Sequence, residues 1–125
     1  MRDFRELRVW ERAHAFTLAV YQMTRAFPSD ERFGLTSQLR RSASSIGSVI
    51  AEGCGRSTNA DFARFLSMAM GSAFETENHL LLARDLGYAN ADQIDSLLSE
   101  IRQIKRMLTQ FLKHLKTTPD AQASP

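Results

Sequence analysis

Glu75 and His79 stand four residues apart, so a helix would bring a carboxylate and an imidazole onto one face. The chemistry such a pair suggests is a carboxylate-bridged pair of metals inside a helical bundle. That site takes a Glu from each of two helices and Glu-x-x-His repeats from the other two, because two metals need bridging carboxylates and paired imidazoles. Glu77 is two residues from His79 and faces elsewhere, and Glu75 with His79 finds no second Glu/His pair to complete the site. A surface hydrogen bond is the expectation, with no metal and no cofactor. His14 and His114 are read as surface or partly buried histidines. Cys54, the only cysteine, sits between Gly53 and Gly55. It leaves no partner for a disulfide within the chain, and no base with motif support stands ready to activate it as a nucleophile. Gly53, Gly55 and Arg56 lack the preceding strand and the following Lys-Ser/Thr of a phosphate-binding loop. No catalytic residue is assigned, and a non-enzyme is expected.

The basic residues remain. Arg40 and Arg41 are adjacent, Arg56 sits beside the glycines, and Lys105, Arg106, Lys113 and Lys116 fall on the polar side of one long amphipathic segment. The net charge is only +2, which permits a nucleic-acid partner without demanding one. Each residue alone reads as a solvated charge or an ion-pair partner. Arg40, Arg41, Arg56, Lys105, Arg106 and Lys113 become a candidate backbone-binding surface only if copies of the chain repeat them. Aromatics interleaved with these charges are not seen in the sequence, so stacking on single-stranded bases has little support.

Four segments with helical apolar spacing must position these groups. The first runs from about Leu7 to Ala26, with Val9, Ala13, Phe16, Val20, Met23 and Phe27 stepping by three and four until Pro28. The second is expected to start at Ser29, with Leu35, Leu39, Ala43, Ile46 and Ile50 as its stripe and Gly53 to Gly55 as its stop. The third opens at Thr58 with Asp61 as a capping-box-like partner, carries Phe62, Leu66, Ala69, Ala73, Leu80 and Ala83, and ends at Gly87. The fourth is capped by Asn90 and carries Ile94, Leu97, Ile101, Ile104, Leu108, Phe111 and Leu115. No alternating β pattern exists. Short connections make neighbours antiparallel, so the expected fold is an all-α, up-down-up-down antiparallel four-helix bundle over residues 1–116, with a disordered tail over 117–125. Nothing reads as a signal peptide or membrane span, and a cytoplasmic protein is expected.

The small residues Ser42 to Ser48 should face Ala69 to Ala73 and let the second and third helices approach closely. A groove kept open for a ligand is the alternative. The third helix has a further property. From Phe62 to Phe74 it reads FARFLSMAMGSAF, with Arg64, Ser67 and Ser72 its only polar side chains. A bundle helix needs one apolar stripe. Phe65, Met68, Met70 and Phe74 are therefore expected to be covered by other copies of the chain. The same residues exclude a DNA-reading helix-turn-helix, whose recognition helix must present polar groups.

The stretches FRELRVWERA, FPSDERFGLTSQLRRSASSI, IAEGCGRSTNADFARFLSMAMGSAFETE and Leu86 to Tyr88 resemble a four-helix-bundle family first noted in intervening sequences of bacterial large-subunit ribosomal RNA genes. The accessory protein of diversity-generating retroelements is related in fold. The resemblance runs nearly from Phe4 to Leu115, departing where Gly47 and Val49 replace a frequent proline and asparagine. It implies rings of five protomers, and in the retroelement relatives nucleic acid and a reverse transcriptase bound through basic surfaces. Gln38, Arg41, Ser45, Glu52 and Glu75 match the family's recurring polar positions. Their expected role is structural, as polar groups near small residues completing a buried hydrogen-bond network. The expected function is thus a homopentameric scaffold that binds RNA or DNA, or a nucleic-acid-handling protein. The alternative is a protein-interaction module without nucleic-acid affinity.

Overall fold

Apolar side chains at every third or fourth position build four helices: α1 (Arg8–Thr24), α2 (Leu35–Cys54), α3 (Asn59–Asp85) and α4 (Ala91–Thr117). The computed structural model describes residues 2–120, and among them there is no strand. The core is made of the stripes that the sequence spacing marks. Phe16, Met23, Leu39, Ile46, Phe62, Leu80, Ile101 and Leu108 are among its fully buried side chains. Each contributes roughly 1.5–3 kcal/mol on burial. Phe111 departs from its stripe by remaining partly exposed, its ring edge-on to Phe62 at 5.3 Å.

Contacts between successive helices pair in reversed order. On α1 and α2, Thr17 donates to the Ala43 carbonyl and Arg40 reaches back to Thr24. On α2 and α3, Ser42 meets Thr76 while Ser45 meets Ser72. On α3 and α4, Phe62 meets Phe111 while Glu77 meets Arg102. Reversed order is antiparallel packing, and an Arg12–Glu100 ion pair with both bonds under 3 Å joins α1 to α4.

The closest helix pair is α2 against α3, and Gly53 shows why. A Cβ there would lie 2.7 Å from Cβ of Phe65 and 3.0 Å from the Phe62 ring. No side chain fits, and the two phenylalanines occupy the space.

Three sequence expectations change. α2 does not begin at Ser29; Ser29–Glu31 is a separate 3-10 turn, and α2 starts at Leu35. Glu31 folds back to accept the Leu35 amide, and Gly34 permits it, since a Cβ there would lie 2.6 Å from the Glu31 carboxylate. Tyr88 donates to the other carboxylate oxygen at 2.8 Å, tying this turn to the α3–α4 connection. The tail is not free from residue 117, because α4 runs to Thr117 and residues 118–120 are held on Asn59. The Asn59 amide side chain donates to the Thr118 carbonyl, and its backbone N–H to Asp120. The rest of the expected tail, residues 121–125, lies outside the described residues. At the start of α3, Thr58 accepts from Asp61 N–H, but the Asp61 carboxylate pairs with Arg64 rather than returning to the cap.

Gly53→Ala is expected to destabilise the protein by about 1–3 kcal/mol, because backbone-proximal atoms of Phe65 must move; chemical denaturation measures it. The Leu35 amide and the Tyr88 hydroxyl hold the Glu31 carboxyl below the usual carboxylate range. A depressed carboxyl stabilises the fold above its unfolded-state pKa and loses that contribution as pH falls through the folded value. Wild type should therefore exceed Glu31→Gln in thermal stability at neutral pH, with the gap closing in acid.

Candidate functional surfaces

The polar residues singled out in the sequence gather at a groove between α2 and α3, of about 510 Å³ and lined by Gln38, Arg41, Ser42, Ser45, Ser72, Glu75 and His79. Two hydrogen bonds cross its floor: Thr76 donates to Ser42 at 2.9 Å, and the Ser45 and Ser72 hydroxyls bond each other at 3.0 Å. On the α3 wall, His79 Nε2 and Glu75 Oε2 are 3.1 Å apart, as their spacing predicts. The buried network is thus serine and threonine. Gln38, Arg41 and Glu75 are exposed and line the opening instead of completing the network. Glu52 is elsewhere, paired with Arg56 at 3.7 Å near the end of α2. Thr76, fully buried, was not singled out by sequence because it stands inside the polar run Glu75 to His79, where one buried hydroxyl has no distinguishing mark; its fourfold spacing from Ser72 is the available signal.

The candidate assembly residues divide. Phe65 is 3 % exposed and belongs to the α2–α3 contact. The space left by Gly53 admits it, and the guanidiniums of Arg56 and Arg64 cover its ring at 4.6 and 4.7 Å. Met70 is half-buried against the core. Met68 and Phe74 do face outward, at 48 % and 59 % exposure, and Leu82 joins them at 47 %. Gly71 lies among these three in the helix, and a Cβ there would meet nothing within 4 Å. Phe74 and Met70 also line a second groove, of about 440 Å³, with Arg102, Lys105 and Arg106 of α4. One apolar and one basic expectation therefore converge on a single α3–α4 face.

Most of the candidate basic residues are engaged within the chain. Arg40 donates to Thr24 and to the Tyr21 carbonyl, Arg56 lies near Glu52 and Asp61, and Arg106 bonds Gln103. Lys105 pairs with Glu77, whose carboxyl it and Arg102 hold below the usual range, and stands 4.1 Å from the Phe74 ring centroid. Arg41 and Lys113 are exposed and have no ion pair among the described residues. Aromatics and cations do come together in space, contrary to the linear pattern: Arg40 lies over Tyr21, and Arg32 over the outward Phe33.

Cys54 is buried, and desolvation pushes its thiol above the ordinary value. A second Glu/His pair does exist, Glu11 and His14 at Glu-x-x-His spacing, but both are exposed on α1 and His14 stacks on Trp10 at 4.8 Å. Among the described residues no three His, Cys, Asp or Glu side chains are grouped to hold a metal ion. No helix there is long and apolar enough to cross a membrane.

The fold has a solved counterpart. A crystal structure of a protein with unknown function from the S23 ribosomal protein family, from Bacteroides thetaiotaomicron, superposes with a TM-score of 0.76 at 27 % identity. The match covers 84 % of this chain and 98 % of that one. No curated protein matches. The profile of the 23S rRNA-intervening sequence proteins matches residues 5–110, the segment holding both grooves and the four helix stripes short of Phe111 and Leu115, and the chain belongs to that family.

Proposed function

We propose that the protein is a non-enzymatic homo-oligomeric scaffold of the cytoplasm, pentameric as the family resemblance implies, that binds nucleic acid through repeated basic surfaces. The observation that carries this reading is the outward face of α3. Met68 and Phe74, one turn either side of Gly71, and Leu82, three turns further along the same helix, expose about half their surface there. A glycine inside a helix costs roughly 1 kcal/mol relative to alanine, and nothing in its own chain needs the space. A helix of a second copy approaching at Gly71 would use that space and bury the three apolar side chains.

Assembly would multiply Arg41 and Lys113, which have no ion-pair partners among the described residues, together with the Arg102–Lys105–Arg106 rim beside Phe74. Weak contacts to phosphate gain through such repetition. The engagement of Arg40, Arg56 and Lys105 inside the chain favours a second reading. In it the scaffold binds a protein, such as a nucleic-acid-handling one, and has no affinity for nucleic acid itself.

Light scattering at micromolar concentration should return a mass several times 14.1 kDa. Met68→Glu should lower it while helix content is retained; a monomeric wild type would remove the scaffold reading. Titrating labelled RNA and DNA at two salt concentrations separates the two partners. Backbone binding should weaken with salt by a log–log slope of about −0.9 per phosphate neutralised on duplex DNA and about −0.7 on single strands. No binding at low salt leaves the protein-partner reading.

A further inference from the structure

We propose that the groove between α2 and α3 binds a small dipolar molecule carrying an oxyanion together with a hydroxyl or ammonium donor. Its volume of about 510 Å³ lies inside the range of small-molecule sites. Ligand sites are mostly lined by apolar side chains, whereas every residue lining this groove is polar or charged. An apolar occupant gains nothing there.

The charges define the rest. Arg41 on the α2 wall has no hydrogen-bond or ion-pair partner among the described residues, although Glu75 lines the opposite wall of the same groove. Elsewhere on this surface the two signs meet directly, as in Arg12–Glu100, Arg64–Asp61 and Arg102–Glu77. Here they are held apart. His79 contributes to that separation, since its ring bonds the Glu75 carboxylate at 3.1 Å while its side chain is only 12 % exposed. An oxyanion suits the planar guanidinium, which donates to two of its oxygens in parallel, and a hydroxyl or ammonium suits the carboxylate. Between them, Ser45 and Ser72 share one hydrogen bond and retain further donor and acceptor capacity for a bound polar group.

Calorimetric titration of the intact protein tests this with three probes: inorganic phosphate, a nucleoside 5′-monophosphate and an α-amino acid. The last two carry both groups and distinguish a phosphate from a carboxylate as the oxyanion. At least one of them should bind more tightly than inorganic phosphate. Arg41→Gln should weaken that binding by about tenfold or more, the size of a lost charged hydrogen bond. Glu75→Gln should abolish the advantage over phosphate while leaving phosphate binding intact. Both side chains are exposed, so the variants should keep the wild-type circular dichroism and mass. Absence of binding by all three probes at millimolar concentration overturns the proposal, as does binding that survives Arg41→Gln. A fall in mass on Arg41→Gln also overturns it, by assigning the groove to a second copy of the chain. Calorimetry on the protein in whatever state it adopts makes this result independent of the assembly reading.

Discussion

The approach of α2 to α3 is the constraint on which the other features rest. At one end it is set by Gly53, where the Phe62 and Phe65 side chains press against a backbone that has no Cβ to offer. Along the middle it is set by hydroxyls, Ser42 with Thr76 and Ser45 with Ser72, which satisfy one another in a layer too thin for larger side chains. Small polar residues serve two ends at once. They bring the backbones close, and they leave the outer side of the contact unfilled, so that the groove under Arg41 and Glu75 is a consequence of the packing. The tight hairpin and the open groove, posed as alternatives by the sequence, are the same structure.

Much of this was legible in the residues. Apolar periodicity named the core of all four helices because each stripe is regular and each helix long. Gln38, Arg41, Ser45, Glu52 and Glu75 were marked as a set; four of them share one groove while Glu52 lies near Arg56, and of the four only Ser45 joins the hydroxyl layer. A spacing of three or four says which residues share a face and nothing about how far that face lies from the neighbouring helix. Phe65 failed for a related reason. By composition α3 is apolar on every side between Phe62 and Phe74. Whether Phe65 points to solvent depends on room conceded by a glycine twelve residues earlier, on another helix. The break before Leu35 was hidden because Asp30 and Glu31 resemble a helix first turn. Only the folded-back Glu31 carboxylate, over Gly34, shows that the true cap comes later.

The surface falls into two regions with different chemistry. Between α2 and α3 it is polar and holds its charges apart. Across the outer side of α3 toward α4 it is apolar, with cations beside it, and Lys105 lies over the exposed Phe74 ring. An aromatic ring with an ammonium over its face is a partly satisfied contact, suited to burial against another protein. Membership of the 23S rRNA-intervening sequence proteins agrees with the bundle and leaves the partner to be named by experiment.

The outward face of α3 is tested most directly at Gly71. In a free chain a Cβ there would meet nothing within 4 Å and a leucine would raise helix propensity, so Gly71→Leu should keep or increase stability without changing mass. If a second copy packs against α3, the same side chain has no room. Sedimentation of wild type and Gly71→Leu should then show an assembled wild type and a variant that sediments near 14.1 kDa with its helix content intact. A variant as large as an assembled wild type, or a wild type that is itself monomeric, would contradict the assembly of this protein through α3.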